Sequence, residues 1–360
     1  MRRFFQILLL LLFLAFGSSQ NPVATPGGRL LQEARVLFDS AHYELALERG
    51  QQALGMMPEN DLEAAACLEL IGDAFLESGQ FSAAEQQYNA ALHIFTKKLG
   101  PKHLSVAEVL NRLGEYFYRK SEYKKAVGYF QKALHIREEA LGPLHELVAD
   151  GFNNLGNCQV GEGHYAEAMA LHQKALAIRQ QTLPADHPDM ATSYNNLGNC
   201  AFLSADYTGA KTSFEKALAI REKVFGIHHP KTAQTLNNLG NACAKLGLIT
   251  EAVSHYQRAL EIRRRILGAR HSAVASTLEN LADLYFERGD YMSALDLYRQ
   301  AQAIQRDVQG AESAAVAALW HNIGLCYQYE GDYDQALSQH LAAEAVLRTA
   351  YGMEHPLLAG

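Results

Sequence analysis

The chain has 360 residues and a formal net charge of -7, with 39 acidic against 32 basic residues. Its densest basic run is Arg263-Arg264-Arg265, and a run of this kind at a helix end ordinarily complements the helix dipole, so the sequence argues against nucleic-acid binding. Five cysteines are an odd number for a chain whose first residues point to export.

Arg2 and Arg3 precede an apolar stretch from Phe4 to Phe16, and Ala15-Phe16-Gly17 supplies small residues after it. This order predicts a secretory signal peptide over residues 1–20. A membrane span ordinarily wants about 20 apolar residues. An uncleaved membrane anchor is the alternative. No cysteine stands near the cleavage region, which disfavours a bacterial lipid anchor. The expected location is exported, periplasmic or extracellular, with no membrane span once the signal is removed. Residues 21–28 (NPVATPGG) read as a linker.

The next 300 residues are governed by a period. The stretch NNLGN occurs at Asn153–Asn157, Asn195–Asn199 and Asn237–Asn241, 42 residues apart. With the glycine as marker, the register runs through Gly72, Gly114, Gly156, Gly198, Gly240, Ala282 and Gly324 without insertion or deletion. Four residues before each marker stands a large apolar residue, from Leu68 to Trp320. Alanine recurs twelve residues after it, from Ala84 to Ala336, and nineteen after it, from Ala91 to Ala343. Offsets of three and four predict two amphipathic helices per unit. The turn between them falls at Gly79, Gly163, Gly247, Gly289 and Gly331, with an aromatic two residues later in six of seven units.

This grammar resembles the tetratricopeptide repeat, on Trp320, Ile323, Gly324, Tyr327, Ala336 and Ala343 of the last unit. The 42-residue period and the phrases KALAIRQ (174–180), KALAIRE (216–222) and FGIHHP (225–230) are similar to the kinesin light chain subclass. Ala34, Ala46, Ala53 and Pro58 fit a shorter first unit over 29–60. Seven long units then span 61–354, and 355–360 reads as the start of a further unit or a frayed tail. The resemblance implies an all-α, right-handed α-solenoid of stacked antiparallel helix pairs, in which neighbouring units bury a core that none could bury alone.

The asparagines form rows on one face of the first helix. One row is Asn154, Asn196, Asn238, Asn280 and Asn322; a second is Asn157, Asn199 and Asn241; a third is Asn111, Asn153, Asn195 and Asn237. The resemblance implies that this face lines a concave groove. A carboxamide both donates and accepts, so a row of them suits the backbone of an extended peptide. Tyr118, Val160, Phe202 and Phe286 are candidates for side-chain pockets. The other reading is that the amides bond one another and order the stack. Asn154, Asn157, Asn196, Asn199, Asn238, Asn241, Asn280 and Asn322 are the candidate peptide-binding residues.

Histidines recur at His103, His145, His187, His229 and His271, one per unit before each first helix. A ladder this dispersed suits helix caps and not a metal, whose ligands must cluster. Cys158, Cys200 and Cys326 share one register and Cys243 lies one residue beyond it. Equivalent positions roughly 10 Å apart exceed the roughly 7 Å limit of a disulfide, so free thiols are expected. No hydrolase, phosphate-loop or zincin motif is present, and the irregular positions Gln159, Pro184, Ile249 and Ser313 suggest no chemistry. The expectation is a scaffold for a protein or peptide ligand, with no catalysis, cofactor, metal or nucleic acid. The alternative is a regulatory repeat array of a larger signalling or peptidase-associated protein.

Overall fold

The computed structural model describes residues 25–351; the expected signal peptide and residues 355–360 lie outside them. Among the described residues there are sixteen helices and no strand. The chain divides at Ala140/Leu141 into two units, each with its own contacts. The first contains the short pair α1 (Pro26–Asp39) and α2 (Tyr43–Leu54), then α3 (Leu62–Glu77) with α4 (Phe81–Leu99) and α5 (Leu104–Arg119) with α6 (Tyr123–Leu141). The second contains five pairs: α7 (Glu146–Gly161) and α8 (Tyr165–Thr182); α9 (Pro188–Leu203) and α10 (Tyr207–Phe225); α11 (Pro230–Lys245) and α12 (Ile249–Leu267); α13 (Ser272–Glu287) and α14 (Tyr291–Gln309); α15 (Ala314–Glu330) and α16 (Tyr333–Tyr351). Within each unit a helix packs on its sequence neighbours, the arrangement of an α-solenoid. Helix α1 begins at Pro26, so the expected linker is helical over its last three residues; Thr25 Oγ1 caps it by accepting from the Gly28 N–H at 2.9 Å.

The histidine ladder is a set of N-caps. His103, His145, His187, His229 and His271 each accept through Nδ1 from the backbone N–H two residues on, at 3.0–3.3 Å. Where the register carries Ser313, its Oγ accepts from the Val316 N–H instead. The inter-helix turns need a left-handed residue. Gly163, Gly247, Gly289 and Gly331 supply it, while Ser121 and Ala205 adopt φ near +60° without glycine's freedom.

The marker glycines answer a different need, close approach. Sixteen residues further on, a ring lies flat against the first helix. A Cβ on Gly114, Gly198 or Gly240 would stand 2.6 Å from Phe130, Phe214 or Tyr256 respectively. The recurrent alanines Ala84, Ala126, Ala168, Ala210, Ala252 and Ala294 are fully buried at the same seams. All five cysteines are free and buried, as the spacing predicts. Burial pushes the Cys200 thiol up to about 11, out of the nucleophilic range.

Candidate functional site: the first-helix face of residues 141–351

Every candidate asparagine from Asn154 to Asn322 lies in the second unit and is half-buried. The structure joins several of them across successive helix pairs. Asn196 Nδ2 donates to Asn153 Oδ1 at 2.8 Å, Asn238 Nδ2 to Asn199 Oδ1 at 3.2 Å, and Asn280 Nδ2 to Asn237 Oδ1 at 3.3 Å. Asn241 Oδ1 accepts from the Tyr256 hydroxyl at 2.7 Å. The face is therefore a self-bonded carboxamide ladder. A carboxamide has two donor protons and two acceptor lone pairs, so one bond leaves capacity for a ligand. Asn157 and Asn322 make no side-chain hydrogen bond in the described structure, while Asn154 is engaged.

Behind the ladder runs a row of guanidiniums of which sequence reasoning named only Arg263, within a basic run. It ends the KALAIR-like phrase of four second helices, at Arg137, Arg179, Arg221 and Arg263, and reads there as a charge for the helix C-terminus. Instead Arg179 and Arg221 are 1% and 4% exposed. Arg179 Nη1 donates to Ser193 Oγ at 2.7 Å and to the Asp189 carbonyl at 3.3 Å, and its Nη2 pairs with Asp150 at 2.7 Å. Arg221 Nη1 donates to the Lys231 carbonyl at 2.8 Å, to Thr235 Oγ1 and to Asn195 Oδ1. Arg263 Nη1 repeats this with the Ala273 carbonyl at 2.7 Å, Thr277 Oγ1 and Asn237 Oδ1. Each arginine staples its own first helix to the next one.

The row is not uniformly neutralised. Arg179 has a carboxylate six residues before its marker, at Asp150. At that register the units of Arg221 and Arg263 carry Thr192 and Gln234. All their hydrogen bonds leave from Nη1 and end on neutral oxygens. Burial without a counter-charge moves the Arg221 guanidinium down to about 10 and lowers Arg263 too. Gln234 and Arg263 line one cavity of about 240 Å³, with Pro230, Ile262, Ile266 and Ala273. Two of the apolar residues expected to form pockets pack on the aromatic that opens the following helix. Phe202 packs on Tyr207 at 5.4 Å between centroids, and Phe286 on Tyr291 at 5.3 Å, closing turns.

Two pairs of this unit carry histidine as the seam ring, His172 and His340, and His172 is the one without a hydrogen bond at either buried nitrogen. His172 occupies the ring position against Gly156 where neighbouring pairs carry phenylalanine or tyrosine. It is 1% exposed and neither ring nitrogen is hydrogen-bonded. Burial, then the nearby Arg179 charge, lowers it to about 4.

The model of the tetratricopeptide repeat matches residues 63–139, 105–181, 189–262 and 235–307, and a second model of the same repeat matches 317–343. Comparison with curated proteins returns no significant match. Among solved structures, BtubC (BKLC) from P. vanneervenii is 24% identical with a TM-score of 0.54, covering 65% of this chain and 91% of that one. A putative kinesin light chain from Podosopora anserina with nearly identical repeats is 23% identical at a TM-score of 0.51, covering 58% and 97%. A Rap protein complexed with Competence and Sporulation Factor superposes at 0.64 with 17% identity, covering 92% and 89%. Similarities at these identities establish a shared fold. With the family model matching most of the chain and kinesin-light-chain-like repeat proteins sharing its architecture, this chain belongs to the tetratricopeptide repeat family.

Proposed function

We propose that the chain is an exported protein-interaction scaffold whose first-helix face, in residues 141–351, holds an extended peptide bearing a carboxylate. The observation that carries this reading is Arg263. Its hydrogen bonds all leave from Nη1, and the residue lines a cavity together with Gln234, which stands at the register where Asp150 neutralises Arg179. Arg263 is half-buried; a partly desolvated cation without its counter-charge is costly, and an incoming carboxylate relieves that cost through a charge-assisted bond. The asparagines offer the remaining amide capacity to the peptide backbone, each net bond contributing about 0.5–1.5 kcal/mol. The Rap protein solved with Competence and Sporulation Factor supports the general idea that a solenoid of this fold holds a ligand.

The test is selection of a random peptide library on the immobilised chain, followed by titration of the enriched peptides. Enrichment in acidic residues, with binding weakened at least about tenfold by Arg263→Gln, supports the reading. Glutamine already occupies this register at Gln305, so the variant is expected to fold. Enriched peptides that bind the Arg263→Gln variant equally well sink it. Export is tested by sequencing the N-terminus of the secreted protein, where a start near residue 21 is expected.

A further inference from the structure

A different part of the same unit departs from the repeat in two places that meet in space. Three residues after the marker, the seven units read Phe75, Phe117, Gln159, Ala201, Cys243, Tyr285 and Tyr327. Fifteen after it they read Gln87, Tyr129, Leu171, Ser213, His255, Leu297 and Gln339. Cysteine and histidine each occur once at their register, and both occur in the α11–α12 pair. Glu251 stands one turn before His255 on α12, on the same helix face. The Cys243 thiol, a Glu251 carboxylate oxygen and a His255 ring nitrogen all lie within 4.8 Å of one another.

A second observation points to the same place. His255 Nδ1 is buried and has no hydrogen-bond partner, an unsatisfied polar atom of the kind that calls for an ion or a water. The three side chains come from two helices of one packed pair, so their separation is set by the core and not by a loop. Cys243 is fully buried and forms the floor; Glu251 is exposed and forms the rim.

We propose that Cys243, Glu251 and His255 bind one zinc-class divalent ion. Sulfur, imidazole and carboxylate together suit a borderline-soft cation and not magnesium or calcium. Bond lengths of about 2.0–2.3 Å in a tetrahedron place donor atoms roughly 3.3–3.8 Å apart. The observed cluster reaches this by contracting about 1 Å, within the reach of side-chain torsions. Three protein ligands leave a fourth position for water or a partner's side chain. Binding deprotonates the thiol: the Cys243 S–H proton goes to solvent and the thiolate takes the metal. Lys211 now lies 3.3 Å from Glu251 and 2.8 Å from Glu215. It keeps the Glu215 pairing when the metal takes Glu251. The expectation that no metal binds arose from the dispersed cap histidines; His255 is not one of them.

The experiment is a cobalt(II) titration of the chelator-treated full chain, followed by zinc displacement and thermal melting. One equivalent of cobalt should give the near-ultraviolet thiolate-to-cobalt band and tetrahedral visible bands, and zinc should bleach them and raise Tm. Cys243→Ser should abolish the thiolate band. His255→Leu, which restores the residue found at Leu171 and Leu297, should fold and bind at least about tenfold more weakly, since loss of a ligand exceeds a lost outer-shell contact. Lys211→Ala should tighten binding by removing the competing cation. Absence of the thiolate band in the wild-type chain overturns the proposal. So does equal cobalt affinity in the folded His255→Leu variant.

Discussion

The first-helix faces of the two units solve the same packing problem with different chemistry. In the first unit the face is charged. Arg112 stands within 3.2–3.8 Å of Glu69, Asp73, Glu108 and Glu115. Burial raises Glu69 and Asp73, whereas Arg112 and Arg137 outweigh burial at Glu108 and hold it low. In the second unit the same registers carry Asn153, Asn154 and Asn157 and their repeats, bonded amide to amide. The charged face is neutralised internally, with Arg112 at its centre and Arg137 and Arg119 on Glu108 and Glu115. The amide rows keep spare donors and acceptors and lie over guanidiniums of which Arg179 has a carboxylate at Asp150 while Arg221 and Arg263 have none among their hydrogen-bond partners. This difference is the reason for proposing the ligand site in the second unit and not evenly along the repeats.

The comparison breaks most severely at its hub. Arg112→Ala leaves the Glu69 and Asp73 carboxyls without their cation, while Glu108 and Glu115 keep Arg137 and Arg119, and a loss of about 2–4 kcal/mol at neutral pH is expected from chemical denaturation. Because those carboxyls become neutral in acid, the deficit should shrink as pH falls through the carboxylate range. A deficit independent of pH would show that lost packing, not charge, is what Arg112 supplies.

His172 tests the second unit. Its folded-state value, about 4, lies below the ordinary 6.5, so the folded chain disfavours the proton. Stability from the neutral ring is full above 6.5 and is lost as pH falls from there toward 4, on the order of 2–3 kcal/mol. His172→Phe should remove this slope and match the ring at Phe130 and Phe214. Melting curves between pH 7 and 4 check it; an unchanged slope would assign the acid sensitivity to other groups.

The smallest effect belongs to the ladder itself. Asn196→Ala and Asn280→Ala should each cost about 1 kcal/mol, one inter-repeat hydrogen bond apiece. Losses near zero would mean that water replaces the amide bond and that the row is kept for its ligand. Losses well above 1 kcal/mol would make stack order its main task.

Some of this was legible before any coordinates. Offsets of three and four within a 42-residue period fix helix, turn and seam, because helical geometry is local and each unit repeats it. The histidine caps were readable for the same reason, since an N-cap bonds only two or three residues ahead. The asparagines could be placed on one face. Their partners could not, because Asn196 to Asn153 and Asn238 to Asn199 depend on how one helix pair settles on the next. The arginine row was hidden by its own position: at a helix C-terminus it has a sufficient local explanation, and only packing shows Arg179 and Arg221 turned inward. Tyr88, Tyr256 and Tyr298 meeting Asp73, Asn241 and Asp283 follow the same logic.

The sequence by itself determined the architecture and the register, since periodic burial of small and large residues admits one way of stacking helix pairs. The tertiary structure alone decided which polar groups are satisfied. Satisfaction depends on ångström-scale distances between side chains that packing brings together from different helices. Those distances join Arg263 to neutral oxygens through Nη1, and they gather Cys243, Glu251 and His255 into one cluster.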